Sequence, residues 1–195
     1  MKNIIIIGIG RAGKTTLSQM IKRKYANFNL IHSDCIKWGI IRGEEKEEYY
    51  NANIDKQKEY EHSETFQRVL LEIFKSSVRN DIDRDGYIME SGQLEPKIIS
   101  EMIDISNTIV ICLGHGNLKK DEIINLCRTN DTPKDWSYNT SESELQYHAE
   151  KWSEMNIMLK KECPKYNIKY FDTSKNRKKI LNQIMLEISD EIESD

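Results

Sequence analysis

A chain of 195 residues with 38% hydrophobic and 31% charged residues holds enough apolar material for one sizeable core, which excludes a disordered polypeptide. Its formal net charge of −3 gives no bulk electrostatic support for a nucleic-acid surface, although net charge does not report a local basic groove. Cys35, Cys112, Cys127 and Cys163 show no C-x-x-C spacing, so reduced thiols in a cytoplasmic protein are expected rather than a disulfide framework or a zinc site.

The first element is Ile4-Ile5-Ile6-Ile7, a β-branched run with the composition of a strand buried on both faces. It is too short to span a membrane, and Arg11 and Lys14 interrupt it too early for a secretory signal. Gly8-Ile9-Gly10-Arg11-Ala12-Gly13-Lys14-Thr15 then satisfies G-x-x-x-x-G-K-[ST]. Glycines let successive backbone N–H groups turn inward as an anion nest, and the following helix adds its unpaired N–H groups and dipole. Gly8, Gly10, Arg11, Ala12, Gly13 and Thr16 are therefore expected around the phosphates of a nucleotide. Lys14 would reach the β- and γ-phosphates, and Thr15 would offer its hydroxyl to Mg²⁺. Leu17, Met20, Ile21 and Tyr25 recur at helical spacing and supply that helix.

Phe28–His32 reads as a second strand ending at Ser33-Asp34. Arg42 to Glu48 is a charge run, read as a solvated helix face or loop. A long helix is expected from about Asp55 to Val78, with Phe66, Val69, Leu70, Ile73 and Phe74 as its apolar stripe. Asp85-Gly86 is a turn. Tyr87-Ile88-Met89 forms a third strand ending at Glu90-Ser91-Gly92, and a short helix covers Glu95 to Ile103. Thr108–Leu113 is a fourth strand and Asp121–Cys127 a helix. Residues 128–140 are polar and turn-rich around Pro133. Ser141 to about Glu162 is a helix opened by a capping box on Ser141 and Glu144. Ile168–Phe171 is a fifth strand, and Ser174 caps a last helix.

Strands alternating with helices imply a parallel sheet in a three-layer α/β domain spanning 1–195, with a variable insert near 36–60 and a lobe near 128–140. In such sheets ligands bind beyond the carboxyl ends of the strands. Asp34, after the second strand, is either an acceptor-side base or Mg²⁺ ligand through water, or a helix cap. Glu90, ending the third strand, is either an acid near Mg²⁺ or a surface residue capping a turn. Arg128 could close over a transferring phosphoryl group or simply complement a helix C-terminus. Asp172, Thr173 and Ser174 could grip a purine base or only connect strand to helix. His115 without a partner reads as structural. Trp38 could wall an acceptor site.

Gly8 to Thr16, Asp34, the Tyr87-to-Gly92 stretch, Arg128 with Asp135-Trp136, and the late Tyr170-Phe171-Asp172-Thr173-Ser174 together resemble the P-loop small-molecule kinases, the nucleoside and nucleotide kinase-like group with its zeta-toxin-like relatives. The resemblance implies five parallel strands in order 2-3-1-4-5, use of ATP and Mg²⁺, and a small lid carrying Arg128. It places Asp34 as the acceptor-side base, Glu90 beside the metal, and Asp172 to Ser174 at the base. The chain lacks the Asp-Gly-Phe-Pro stretch of adenylate kinases and has one arginine in the expected lid, which leaves the acceptor open. The expected activity is ATP-dependent phosphoryl transfer to a small-molecule hydroxyl, without membrane or nucleic-acid partners. The competing reading is a nucleotide-binding switch or NTPase with no small acceptor.

Overall fold

The computed structural model describes residues 2–81 and 85–193. Five strands, β1 (Asn3–Gly8), β2 (Phe28–His32), β3 (Gly86–Ser91), β4 (Thr108–Gly114) and β5 (Lys169–Asp172), form one sheet in the order β2-β3-β1-β4-β5. Every pairing is parallel. β1 lies at the centre, where its isoleucine run suits a strand covered from both sides. Ile4 to Ile7 are all fully buried, with Ile4 opposite Ile88 on one side and Ile109 on the other.

Two helical layers cover the sheet, as right-handed crossovers require when the chain leaves β1 in one direction and returns in the other. Helix α1 (Lys14–Lys24) packs with the last helix, α9 (Arg177–Glu193). The opposite layer is built from α5 (Glu64–Asn80), α6 (Pro96–Met102) and α8 (Glu142–Glu162). Between β2 and α5 the chain makes three short helices, α2 (Ser33–Gly43), α3 (Glu47–Ala52) and α4 (Ile54–Glu61). Between β4 and α8 it makes α7 (Lys120–Asn130) and a 3-10 turn at Trp136–Tyr138.

Local boundaries differ from expectation in informative places. The single helix expected over Asp55–Val78 is broken into α4 and α5 at His62-Ser63, because the Ser63 hydroxyl accepts the Phe66 N–H at 3.2 Å and restarts the helix. Within α5, Phe66, Leu70 and Phe74 are buried as the apolar spacing requires, whereas Val69 is 40% exposed. Helix α7 runs on to Asn130, so Arg128 lies in its last turn rather than in a loop. The Ser141 cap forms, its hydroxyl accepting from the Glu144 N–H at 3.3 Å. Ser174 does not cap the last helix, which begins three residues later at Arg177. No helix among the described residues is long and apolar enough to cross a membrane.

Candidate active site

The glycine loop between β1 and α1 has the backbone that its sequence demands. Gly8 (φ 136°) and Gly13 (φ 99°) adopt conformations that side chains resist, and Arg11 (φ 62°) takes the left-handed region despite its side chain. At Gly8 a Cβ would lie 1.9 Å from the Leu113 carbonyl oxygen, so β4 could not approach β1 there with any other residue. Thr173 closes the loop from behind, its buried hydroxyl donating to the carbonyls of Ala12 at 2.9 Å and Gly114 at 3.1 Å. This hydroxyl stitches the loop to β4 and is not presented to a ligand. Asp172 is exposed at the end of β5 and accepts the Ser174 N–H at 2.9 Å.

Lys14 opens α1 and folds back over the loop, its Nζ donating to the Ile9 carbonyl at 2.8 Å. Burial lowers its pKa, partly offset by the Glu90 and Asp34 carboxylates. The Thr15 hydroxyl donates to Glu90 Oε1 at 2.7 Å, and Glu90 Oε2 lies 3.0 Å from His32 Nδ1. The sheet register brings these together, since His32 is paired with Glu90 across β2 and β3. Thr16, the next residue, is exposed on α1. A bare cradle, an ammonium folded across it, and a hydroxyl and carboxylate meeting at its edge suit a triphosphate with Mg²⁺. Among the described residues no cluster of three or more His, Cys, Asp or Glu could hold a metal; Thr15 and Glu90, with Asp34 farther along the cleft, are oxygen groups that could face a Mg²⁺ carried by the nucleotide.

A cleft of about 800 Å³ runs from the glycine loop, Thr15 and Glu90 past Lys14 to walls formed by α2, α3, α4 and the first half of α8. Asp34 stands in its floor, in the first turn of α2. Asp34 Oδ1 accepts from Gln93 Nε2 at 2.9 Å and faces Lys37 Nζ at 3.3 Å. The Asp34 side chain is 69% exposed within the open cleft; desolvation by the cleft walls, limited by that exposure, works to raise its pKa, but Lys37, the Gln93 amide and Lys14 outweigh it and hold the carboxyl below its ordinary range. Asp34 therefore stays ionised at neutral pH. Ser33 fastens Gln93 in place through its hydroxyl. Lys37 in turn reaches the buried Glu61 at 2.8 Å, and Lys58 pairs with the same carboxylate.

Aromatic rings form the upper walls. Trp38 and Tyr50 stand on the insert side. Trp136, His148 and Trp152 form a cluster on the other, with ring centroids 4.9 to 5.9 Å apart. Trp152 also lies against Gly10, where a Cβ would come 2.2 Å from its ring.

Arg128 is not in this cleft. It projects from the end of α7 to the Glu142 carboxylate at 3.1 Å, a cation at one helix C-terminus meeting an acid in the first turn of the next. The arginine that joins the two parts of the site is Arg11, which binds Asp131 and, at 2.6 Å, Asp135. Arg11 and the Thr132 N–H push the Asp135 pKa down to about 2. Sequence reasoning named Asp34, Glu90 and Trp38, and the structure places them on one cleft with Lys14 and Thr15. It missed His32, Lys37 and Glu61. His32 was accessible to the strand-end rule, and Lys37 lies one helical turn after Asp34, but no local signal pairs Lys37 with Glu61.

No protein-family model and no curated protein matches the sequence. Among solved structures the chain is similar to shikimate kinase from Aquifex aeolicus vf5, with 15% identity, coverage of 96% of each chain and a TM-score of 0.50. It is also similar to shikimate kinase from Bacteroides thetaiotaomicron, with 15% identity, coverage of 99% of each chain and a TM-score of 0.49. At such identities the likeness to the first of these speaks to the fold, which is that of the P-loop small-molecule kinases.

Proposed function

We propose that this chain, folded as a P-loop small-molecule kinase, transfers the γ-phosphoryl group of ATP to a hydroxyl of a small molecule with the help of Mg²⁺. One observation carries the reading: the cleft beside the glycine loop is lined at once by Lys14, Thr15 and Glu90 and by the ionised Asp34. A switch or simple NTPase needs the glycine-loop end of this cleft but not its extension past Asp34, Trp38 and Gln57, which is what favours a second substrate.

The chemistry follows from those residues. The loop N–H groups and Lys14 would hold the β- and γ-phosphates, and Thr15 with Glu90 would orient Mg²⁺ and its waters. Bound Mg²⁺ supplies charge neutralisation on the phosphate oxygens. Asp34, steadied by Gln93 and Lys37, would accept the hydrogen bond of the acceptor hydroxyl and aim its oxygen at the γ-phosphorus. As the new P–O bond forms and the bond to the ADP oxygen breaks, the hydroxyl proton passes to the Asp34 carboxylate. With an acceptor bound between them, the aromatic walls would displace water, which otherwise competes as acceptor.

The test is ADP release measured with Mg·ATP alone and with a panel of sugars, nucleosides and hydroxy acids, in the wild type and in Lys14→Ala. A member of the panel should raise ADP release well above the water-only rate, and Lys14→Ala should abolish that rise while leaving the circular dichroism spectrum intact. Hydrolysis unaffected by every acceptor, or full activity without Lys14, overturns the reading.

A further inference from the structure

The geometry points to an uncharged polyhydroxylated ring, a neutral sugar, cyclitol or nucleoside, as the acceptor, and against one carrying a carboxylate or phosphate. This inference rests on the phosphotransferase reading and asks what the cleft can hold. An anionic acceptor needs donors with charge to spare, most effectively an arginine fork. Among the described residues no arginine borders the cleft. Arg11 is bound to Asp131 and Asp135, and Arg42 to Glu47.

The lysines of the floor are equally committed. Lys37 lies between Glu61 at 2.8 Å and Asp34 at 3.3 Å, and Lys58 meets the other oxygen of Glu61. Two carboxylates and two ammonium groups cancel, and an incoming anion would have to break a buried pair to gain a partner. Lys14 belongs to the glycine loop, and Lys151 stands exposed at the rim, 3.5 Å from Glu154. Of the three imidazoles on the cleft, His32 is turned to the Glu90 carboxylate at 3.0 Å, and the other two do not act as cations either. Burial lowers the pKa of His62 and pushes that of His148 down to about 4.

What the cleft does offer suits a neutral ring. Asp34 and the amides of Asn51 and Gln57 are hydrogen-bonding groups for hydroxyls. Trp38 on one wall and Trp136 with Trp152 on the other border the cleft with aromatic rings against which the C–H face of a ring can pack.

All three tryptophans of the chain line this cleft, so intrinsic fluorescence reports its occupation. With Mg²⁺ and a non-hydrolysable ATP analogue present, the full chain is titrated with matched pairs: glucose and glucuronate, a cyclohexanepolyol and its carboxylate, adenosine and AMP. In at least one pair the neutral member should change the fluorescence and bind about tenfold or more tightly than its anionic counterpart. With ATP that member should drive ADP release, at a KM that stays within about twofold between 50 and 500 mM salt, since no ion pair holds it. Tighter binding of the anionic members, a KM rising steeply with salt, or no response to any neutral ring up to about 10 mM overturns the inference. ADP release driven by a glucuronate or a nucleotide would sink this inference alone and leave phosphoryl transfer standing. Binding of a neutral ring without transfer would sink the phosphotransferase reading instead.

Discussion

Asp34 makes the sharpest case at the scale of single residues, because its structural and catalytic roles separate under substitution. Asn at position 34 can still accept from Gln93 Nε2, and Lys37 keeps Glu61, so Asp34→Asn should fold normally. The amide has no basic carboxylate, and phosphoryl transfer to the acceptor should fall by ~10²–10⁴-fold while ATP affinity changes little. Transfer and nucleotide binding measured on the same variant decide it: unchanged transfer removes Asp34 from the mechanism. Gly8 supports a structural prediction of opposite kind. Its φ of 136° and the Leu113 carbonyl 1.9 Å from a would-be Cβ mean that Gly8→Ala strains the backbone and pushes β4 away from β1. The expected loss is on the order of 3 kcal/mol, read by chemical denaturation without any ligand.

Among elements, the segment between α7 and α8 depends on its fastenings at both ends. Its start is tied to the glycine loop by Arg11 through Asp131 and Asp135, and Ser137 donates to Asp131. Its end is tied by Arg128, which reaches the Tyr138 carbonyl at 3.4 Å and Glu142 at 3.1 Å. In this arrangement Arg128 holds one helix to the next and touches neither Lys14 nor Asp34. Arg128→Ala should therefore cost only about 0–1 kcal/mol, as exposed ion pairs do, and leave kcat within about twofold. A fall in kcat of a hundredfold or more would mean that the segment rearranges during turnover and carries Arg128 over the phosphoryl group.

At the scale of the whole molecule, the fully buried His115 and the half-buried His148, with His62 shifted in the same direction, shape the acid stability. His115 is fully buried beside the glycine loop, and burial, aided by Arg177 and Lys14, pushes its pKa down to about 4. His148, packed between Trp136 and Trp152, is held at about 4 as well, chiefly by burial. An unfolded histidine titrates near 6.5, so above that pH both states are neutral and neither residue costs stability. Below it the unfolded chain binds protons that the folded one refuses, and stability falls as pH drops from about 6.5 to about 4, by at most ~3 kcal/mol for His115 and by less for the half-buried His148, where solvent screens the shift. Asp34 and Glu61, both held below their ordinary range, add a further loss only at lower pH still. Denaturation midpoints at pH 7 and pH 4.5 test this: they should differ markedly in the wild type and by less in His148→Phe. A flat profile would show that these imidazoles take up protons freely in the folded chain.

The amino-acid sequence by itself determined the five strands, the glycine loop with Lys14 and Thr15, and the placing of Asp34 and Glu90 at strand ends. Each of those depends on neighbours within a few residues: β-branched runs, helical spacing, and glycine where the backbone must turn. The one-helix expectation over Asp55–Val78 failed at Ser63 for a local reason too, because a cap hydroxyl can restart a helix inside an otherwise continuous helical stretch. Tertiary structure alone decided the rest of the site. Lys37 finds Glu61 across three helices, Thr173 finds the Ala12 carbonyl 161 residues away, and Arg11 rather than Arg128 bridges the loop and the 131–138 segment. No spacing rule encodes such pairs. They arise because parallel crossovers bring the ends of distant strands to one edge, where buried charges and hydroxyls must find partners.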